Sequence, residues 1–335
     1  MHDRSALGPA DVTDEQLAGM VADLLGTDPA GTTVLESHAE DVDYELPAIT
    51  TAGRYWVSGR AQADGRARPF RLFVKHVQSW SRHPFFASVP PEFREMAAAG
   101  VPWRTEALAY RSALGDRLPE GLRMPRAVGV FDIDEASNAV WLEEVPIAPA
   151  DWDVARSRRA GHLLGRMAVS HEVEEFRDVG DAQWEVGMYL HGRLSMQVLP
   201  MLRDTGIWQH PLVSGAFDPE LRARLLEAAD RAAAYTEELS ALPLATSHGD
   251  ACPNNLLATA DSDEFVLIDY GFWAPTRSAS TSASCWSVTS RSGRGPAMTS
   301  PRSTRPSWRV ISPGCVPRGA RSPTTSYAGR TRCSC

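Results

Sequence analysis

The stretch TSHGDACPNNLL, Thr246 to Leu257, places a histidine, an aspartate and two asparagines within twelve residues. Gly249 permits a tight turn, and Pro253 stiffens the path between Asp250 and Asn255. The short apolar run FVLI follows and leads into Asp269. The spacing His-Gly-Asp-x4-Asn-x13-Asp therefore predicts a loop carboxylate close to two oxygen ligands for a hard cation such as Mg²⁺.

Upstream of this loop, Lys75 is the only lysine in a chain whose other 33 basic positions are arginines. It lies in FRLFVKHV, where charged and apolar residues alternate as in a strand. Lys and Arg are not interchangeable at a phosphate or in a partly buried pair, so a single lysine here suggests a specific role. The alternative is chance in a lysine-poor composition.

A predicted helix, RTEALAYR, offers Glu106 as a partner for Lys75. The competing interpretation is a solvated helix residue. Glu92 and Glu95 are rival partners, but they lie in the Pro-rich segment VPPEFREM. Phosphoryl transfer needs a cation for the phosphates, oxygen ligands for magnesium and a carboxylate that orients the attacking hydroxyl. The chain carries side chains of all three types, in a consistent order.

These motifs resemble a known family. HGDACPNNLL and VLIDYG, with FVK and TEALAYR upstream, are similar to the aminoglycoside phosphotransferase and choline kinase group of small-molecule kinases, over roughly residues 40 to 275. The resemblance implies a bilobal protein-kinase-like fold of the α+β class, with a small antiparallel-sheet lobe and a larger helical lobe. It also implies ATP and Mg²⁺ as cofactors and a small-molecule hydroxyl as acceptor.

The resemblance assigns roles to individual residues. Asp250 is the expected catalytic base or hydroxyl-positioning residue, and Asn255 and Asp269 are the expected magnesium ligands. Lys75 is expected to contact the nucleotide phosphates and to pair with Glu106. His248 is expected to support the catalytic loop by hydrogen bonding.

The segment VWLEEV, Val140 to Val145, resembles the strand and hinge where adenine docks, which makes Glu143, Glu144 and Val145 candidate nucleotide contacts. One departure is the lack of a glycine-rich loop, since TTAGRYWVSG contains only Gly53 and Gly59. Walker-type, Rossmann and His-Glu-x-x-His motifs are absent from the sequence, which removes the usual competitors.

Periodicity divides the chain into four expected parts. Residues 1–40 form an N-terminal helical segment, and 41–145 form a nucleotide-binding lobe of sheet and one helix. Residues 146–275 form a helical lobe, whose clearest helix is FDPELRARLLEAADRAAAYTEELSAL, with Asp218 as N-cap and an apolar stripe. Residues 276–335 form a low-complexity tail.

The tail breaks the pattern of the chain. It contains ten arginines and no Asp, Glu or Lys, and it is dominated by Ser, Thr, Arg, Pro and Gly. This is the composition that GC-rich coding DNA yields out of frame, so our hypothesis is a frameshift near residue 276 that removes the rest of the helical lobe. The alternative is a genuine basic, disordered tail. Sequencing the gene from about codon 260 distinguishes them, because clean reads of one uninterrupted frame contradict the frameshift.

Charge restricts the partners. The chain carries 34 basic and 42 acidic side chains, and without the tail the balance is 24 to 42. An acidic body argues against nucleic acid and fits a cationic acceptor. EEVPIAPADWD and HEVEEFRDVGD, near Trp152 and Trp184, are candidate cation-attracting patches, although a solvated acidic surface explains them equally well.

The sequence also carries expectations about location and about alternative functions. The sequence shows no membrane span or signal peptide, so a cytoplasmic location and no membrane partner are expected.

The alternatives to an active kinase are a truncated or frameshifted non-catalytic protein that at most binds nucleotide, and an interaction module built on the basic tail.

Overall fold

The computed structural model describes residues 2–42, 48–147, 152–180, 185–259 and 264–277. Within these residues a large sheet precedes a helical region, and short strands close the described chain, so the α+β class is confirmed. Of the predicted tail, only Thr276 and Arg277 are described; the rest lies outside the described residues.

Along the chain the strands are separated by turns, short 3₁₀ segments and helices. They are β1 (His2–Asp3), β2 (Thr33–Asp41), β3 (Thr51–Ala63), β4 (Arg66–Gln78), β5 (Leu122–Arg123), β6 (Ala127–Asp134), β7 (Ser137–Glu143), β8 (Leu244–Ser247), β9 (Leu256–Ala258), β10 (Phe265–Leu267) and β11 (Ala274–Arg277). The large sheet has the order β1-β2-β3-β4-β7-β6, and every pair in it is antiparallel except β1 with β2.

The helices are mostly short. They are α1 (Asp14–Leu25), α2 (Arg94–Ala99), α3 (Thr105–Arg111), α4 (Val154–Ala168), α5 (His171–Glu174), α6 (Val186–Tyr189), α7 (Leu199–Arg203), α8 (Thr205–Gln209), α9 (Pro211–Ser214), α10 (Pro219–Asp230) and α11 (Ala232–Ser240). A π-helical segment, Leu190–Val198, joins α6 to α7 and is kinked at Gly192. No helix in the described ranges is long and apolar enough to span a membrane.

The first helix forms as its sequence predicts and packs on the sheet. Thr13 and Gln16 form a reciprocal capping box, and Gly26 ends the helix in the left-handed region at φ 65°. Leu17 and Val21 are fully buried in one cluster with residues of β3, β4 and β7. The N-terminal segment is therefore part of the sheet region.

Residues 33–41 differ from the expected helical segment, because they form β2 and pair with β3. A register shift between Val34 and Glu36 interrupts the period-two pattern that would otherwise have marked this strand. Gly53 and Gly59 lie inside β3 rather than in a loop. The connection from β2 to β3 includes residues 43–47, which lie outside the described residues.

The register of the sheet is set by a two-residue turn. Asp64 and Gly65 both have positive φ, 51° and 74°, the conformation that Asp-Gly favours in a tight hairpin. This turn aligns Lys75 of β4 with Arg54 of β3, and β7 places Val140 on the other side of Lys75. Leu72 and Val74 pack with α1, so Lys75, which alternates with them, lies on the opposite face.

The helical region contains one well-packed helix and several poorly packed ones. Helix α4 buries Ala160, Leu163, Leu164 and Met167. The long helix predicted from residue 219 onward is broken at Arg231 into α10 and α11, although Asp218 caps it as predicted. Of its predicted apolar stripe, no member is fully buried, and the only buried residue of either helix is Ala229. The core beside the site is therefore built from α3, α4 and the C-terminal strands.

Candidate active site

Lys75 lies between two carboxylates. Its Nζ is 2.6 Å from Oε2 of Glu106 and 2.9 Å from Oδ1 of Asp269, and its side chain is only 8% exposed. Burial favours the neutral amine, but the charges of Asp269 and Glu106 outweigh it and raise the pKa of Lys75. The site thus holds a charged ammonium that is itself buried, beside a carboxylate that is 42% exposed.

Helix α3 supplies Glu106, which is 3% exposed. Burial raises the pKa of Glu106, and the charge of Lys75 opposes that rise. The rival acids Glu92 and Glu95 are exposed. The structure therefore contains the Lys75–Glu106 ion pair that the sequence motifs imply.

Asp269 ends the last apolar strand in an unusual conformation. Its φ and ψ are 64° and 65°, in the left-handed region that non-glycine residues rarely occupy. Such a conformation costs on the order of 1–3 kcal/mol and persists where surrounding structure enforces it, as at functional sites. The charge of Lys75 lowers the pKa of Asp269, although partial removal from water acts in the opposite direction; the side chain of Asp269 remains 42% exposed.

The loop after β8 carries Asp250 and Asn255. Nδ2 of Asn255 donates to the backbone oxygen of Asp250 at 2.8 Å and to its Oδ2 at 3.2 Å. The backbone oxygen of Asn255 accepts from the N–H of Ile268, the residue before Asp269, at 3.1 Å. The loop is thereby tied to the strand that presents Asp269, and the carbonyl end of the Asn255 amide is the end suited to a metal.

Glycine is required at position 249. Its φ is 78°, and a Cβ there would lie 2.3 Å from the backbone oxygen of Phe272. The loop backbone therefore packs directly against the turn that follows Asp269. Strand β8 lies immediately before the loop, and β11 lies just after the turn. The two strands pair with each other, which holds the loop and the turn together.

His248 is buried and neutral. Its Nε2 donates to the backbone oxygen of Ile268 at 3.0 Å, and its ring packs edge-on against Tyr270, which in turn contacts Tyr110 of α3. Burial lowers the pKa of His248 to about 4, although Asp269 opposes that shift. Among the described residues its Nδ1 has no hydrogen-bond partner. This geometry suits support of the loop, as expected, rather than proton transfer.

The expected hinge residues lie at the end of β7 and directly after it. The carboxylate of Glu143 accepts from Nη1 of Arg123 at 2.7 Å, and that of Glu144 pairs with Arg71 at 2.9 Å. Val145 is half-buried. Because both carboxylates are engaged by arginines, a ligand at this segment would meet mainly backbone groups.

The sequence patterns did not identify Arg54, Trp56 and Phe73 as residues of the site. Arg54 lies directly opposite Lys75. Its charge opposes the rise in the pKa of Glu106 that burial causes, and it adds to the lowering of the pKa of Asp269 that Lys75 causes. Trp56 lies opposite Phe73, and their rings meet edge to face at 5.3 Å. The Asp64-Gly65 turn was the available signal, since counting back from a two-residue hairpin pairs Arg54 with Lys75.

Trp152, beside one of the two candidate cation-attracting patches, packs against the core. Its ring stacks on Phe265 at 5.6 Å, with 17° between the planes. Trp184 lies outside the described residues. Glu172, Glu174 and Asp178 are exposed, as a solvated acidic surface would be.

The buried neutral state of His248 predicts a pH dependence. Its pKa is about 4 in the folded protein against 6.5 as the ordinary value, so the unfolded chain binds more protons between these values. The contribution of neutral His248 to the unfolding free energy is complete above pH 6.5. It decreases as the pH falls toward 4, by on the order of 3 kcal/mol. We expect His248→Gln to flatten this part of the pH profile of the unfolding free energy, measured by urea denaturation.

His171→Gln is the matched control, because the side chain of His171 is 97% exposed. This variant should keep the pH profile of the parent protein. A His248→Gln variant with an unchanged slope between pH 6.5 and 4 would show that His248 is not held neutral.

Comparison with known proteins gives matches only among solved structures. No protein-family model and no curated protein matches the sequence. Similar structures include an amicoumacin kinase in complex with AMP-PNP (12% identity, 83% of this chain and 71% of that chain, TM-score 0.37). They also include an aminoglycoside-3'-phosphotransferase of type VIII (18%, 77% and 88%, 0.39) and a spectinomycin phosphotransferase (11%, 80% and 72%, 0.35). All three are named as kinases or phosphotransferases.

Proposed function

We propose that the chain is an ATP-dependent phosphotransferase that moves the γ-phosphoryl group of ATP to a hydroxyl of a small molecule. One observation carries this proposal: the buried ammonium of Lys75 lies between Glu106 and Asp269. The second carboxylate, Asp269, is tied through Ile268 to the loop that carries Asp250 and Asn255. Phosphoryl transfer depends on positioning and charge stabilisation of this kind.

The nucleotide phosphates would meet two cations on one face of the sheet. Lys75 is already engaged by two acids, so Arg54, directly opposite it, adds the further positive charge that a triphosphate needs. The base would lie on the same face, against Trp56 and Phe73, where aromatic rings offer stacking area. The backbone of Glu143, Glu144 and Val145 would border it.

The oxygen donors at the site fit magnesium. Mg²⁺ prefers hard oxygen ligands and usually takes one or two carboxylates plus substrate phosphates and water. Asp269 and the amide oxygen of Asn255 are donors of that type. In the described part of the chain no group of three or more His, Cys, Asp or Glu side chains could hold a metal ion. When bound, Mg²⁺ would neutralise charge on the phosphates.

Under this proposal Asp250 acts on the acceptor. Its side chain is exposed, and Asn255 fixes its carboxylate through Oδ2. Asp250 would orient the acceptor hydroxyl and take its proton while the new P–O bond forms and the bond between the γ-phosphorus and the ADP oxygen breaks. His248 would keep the loop in place through Ile268.

The acceptor is an amino alcohol or an aminoglycoside-like molecule under this proposal. The motif resemblance supports this class, and so does the excess of acidic over basic residues before the tail. A non-catalytic nucleotide-binding protein is the second candidate. The weak burial of α10 and α11 favours it, because these helices contribute little to a packed core.

The proposal predicts different defects for two variants. Asp250→Asn should lower kcat for phosphoryl transfer by roughly 10²- to 10⁴-fold with little change in nucleotide binding, because it removes only the proton acceptor. Arg54→Gln should weaken nucleotide binding by about tenfold or more, because a charged hydrogen bond is lost. ADP release measured with Mg²⁺, ATP and a panel of aminoglycosides and amino alcohols gives kcat, and calorimetry gives the nucleotide affinity.

Matched controls are available at exposed positions. Asp116→Asn and Arg60→Gln make the same chemical changes at exposed sites and should leave both parameters unchanged. Nucleotide binding without transfer to any acceptor would favour the non-catalytic candidate. Absence of Mg²⁺-dependent nucleotide binding would contradict both candidates.

A further inference from the structure

Residues 170–180, which we call the strap, contact two segments of the candidate active site. They follow α4 and include α5. Val173 is fully buried, and the half-buried Phe176 and Val179 pack against the same core cluster. That cluster also contains residues of α3 and Trp273. The strap is therefore fixed to the core that supports the site.

One attachment of the strap is to the turn that follows Asp269. The indole Nε1 of Trp273 donates to the backbone oxygen of Phe176 at 2.9 Å. Trp273 is fully buried, and its own backbone N–H donates to the oxygen of Tyr270, the residue after Asp269, at 3.0 Å. Because a buried donor left without its acceptor is costly, this bond holds the strap and the turn together.

The other attachment of the strap is to the start of α3. A Cβ on Gly180 would lie 2.4 Å from Cγ2, 2.8 Å from Oγ1 and 3.0 Å from Cβ of Thr105, which is fully buried and directly precedes Glu106. The φ of Gly180 is not in the left-handed region, so this contact, rather than the backbone conformation, requires glycine here. Among the described residues the side chain of the N-cap residue, Arg104, makes no capping hydrogen bond. Packing therefore carries more of the task of fixing this end of the helix.

A methyl group added at position 180 could be accommodated only by movement. Ordinary carbon contacts are about 3.5–4.0 Å, so the approach to Cγ2 requires a shift of roughly 1 Å. Rotation of the Thr105 side chain does not relieve the contact, because Cβ of Thr105, which rotation leaves in place, is itself only 3.0 Å away. The hydrogen bond from Trp273 resists retreat of the strap. We therefore expect α3 to move and to carry Glu106 with it.

The short distances within the ion-paired site make such a movement consequential. Nζ of Lys75 lies 2.6 Å from Oε2 of Glu106 and 2.9 Å from Oδ1 of Asp269. A shift of about 1 Å would take the contact with Glu106 to roughly 3.6 Å, which is beyond hydrogen-bond length. Because the strap contacts the segment that carries each acid, it influences the separation that Lys75 must span.

We propose that the strap is a positioning element of the candidate active site. Close packing at Gly180 sets the position of α3, and the hydrogen bond from Trp273 sets the position of the turn after Asp269. Together the two attachments hold the acids on either side of Lys75 at the separation that lets both contact it. Gly180 is thus a positioning residue that acts through Thr105. The consequence for catalysis rests on the proposed function, whereas the effect on the ion pairs does not.

The side-chain ammonium of Lys75, the only lysine, reports the effect directly. With ¹⁵N-lysine in the parent protein, we expect slow exchange of the ammonium hydrogens with water. Gly180→Ala should speed this exchange by about tenfold or more, because a charged hydrogen bond to Glu106 is lost. Adding Thr105→Ala to that variant should return the rate to that of Thr105→Ala alone, because it removes the two closest atoms.

Trp273→Phe tests the second attachment independently, since it removes the indole N–H and keeps an aromatic ring. It should speed ammonium exchange by several fold, because a net hydrogen bond of about 1 kcal/mol is lost.

Matched controls exist for both changes. Trp208→Phe removes a similar bond in the helical region, where the indole donates to the backbone oxygen of Leu202 at 2.8 Å. Gly165→Ala adds a methyl group on α4 where a Cβ would meet no atom of the described residues within 4 Å. Both control variants should exchange like the parent protein.

Circular dichroism shows which variants fold. If Gly180→Ala does not fold, the comparison of Trp273→Phe with Trp208→Phe decides. Rapid exchange already in the parent, unchanged exchange in folded Gly180→Ala, or equal exchange in Trp273→Phe and Trp208→Phe would overturn the proposal. Faster exchange in Gly180→Ala that Thr105→Ala does not reverse would contradict the role of Gly180. None of these readouts requires nucleotide or acceptor, so a failure of the proposed function would be seen separately, in the ADP-release assay.

Discussion

The buried ammonium of Lys75 is the constraint on which the site depends. A charge removed from water is tolerated only when it is paired, and here its two partners come from distant parts of the chain. Glu106 lies on α3, and Asp269 follows β10, 194 residues after Lys75. One cation thus joins the sheet, its helix and the C-terminal loops. Removal of one partner of a buried pair such as Lys75–Glu106 typically costs about 3–5 kcal/mol, which resists separation of β4 from α3. The contact with Asp269 is screened more strongly, because that side chain is 42% exposed.

The loops around Asp269 are shaped by the same constraint. Asp269 takes a left-handed backbone conformation to reach Lys75, and Gly249 allows the catalytic loop to approach the turn behind it. His248 adds a neutral hydrogen bond to Ile268 where a charged group would be costly. Strain and close packing are therefore concentrated where the proposed chemistry takes place, and the ion pairs of Lys75 stabilise them.

The sequence predicted the polar residues of the site better than their surroundings. The single lysine and the Asp-Asn-Asp spacing predicted Lys75, Asp250, Asn255 and Asp269 as site residues, because few residue types can supply such chemistry; the structure pairs Lys75 with Asp269 and Asn255 with Asp250. Strand β2 was missed, since its bulge hides the alternation, and Arg54 was missed because its face depends on sheet register. The break at Arg231 and the packing of Trp152 depend on tertiary contacts that no local pattern contains.

The central claim is that Lys75 is locked between Glu106 and Asp269, and the composition offers a direct test. Because Lys75 is the only lysine, ¹⁵N-lysine labelling gives one side-chain ammonium resonance. We predict a resonance protected from exchange with water in the parent protein, with protection reduced in both Glu106→Gln and Asp269→Asn. A rapidly exchanging ammonium that is the same in the parent and both variants would contradict the account.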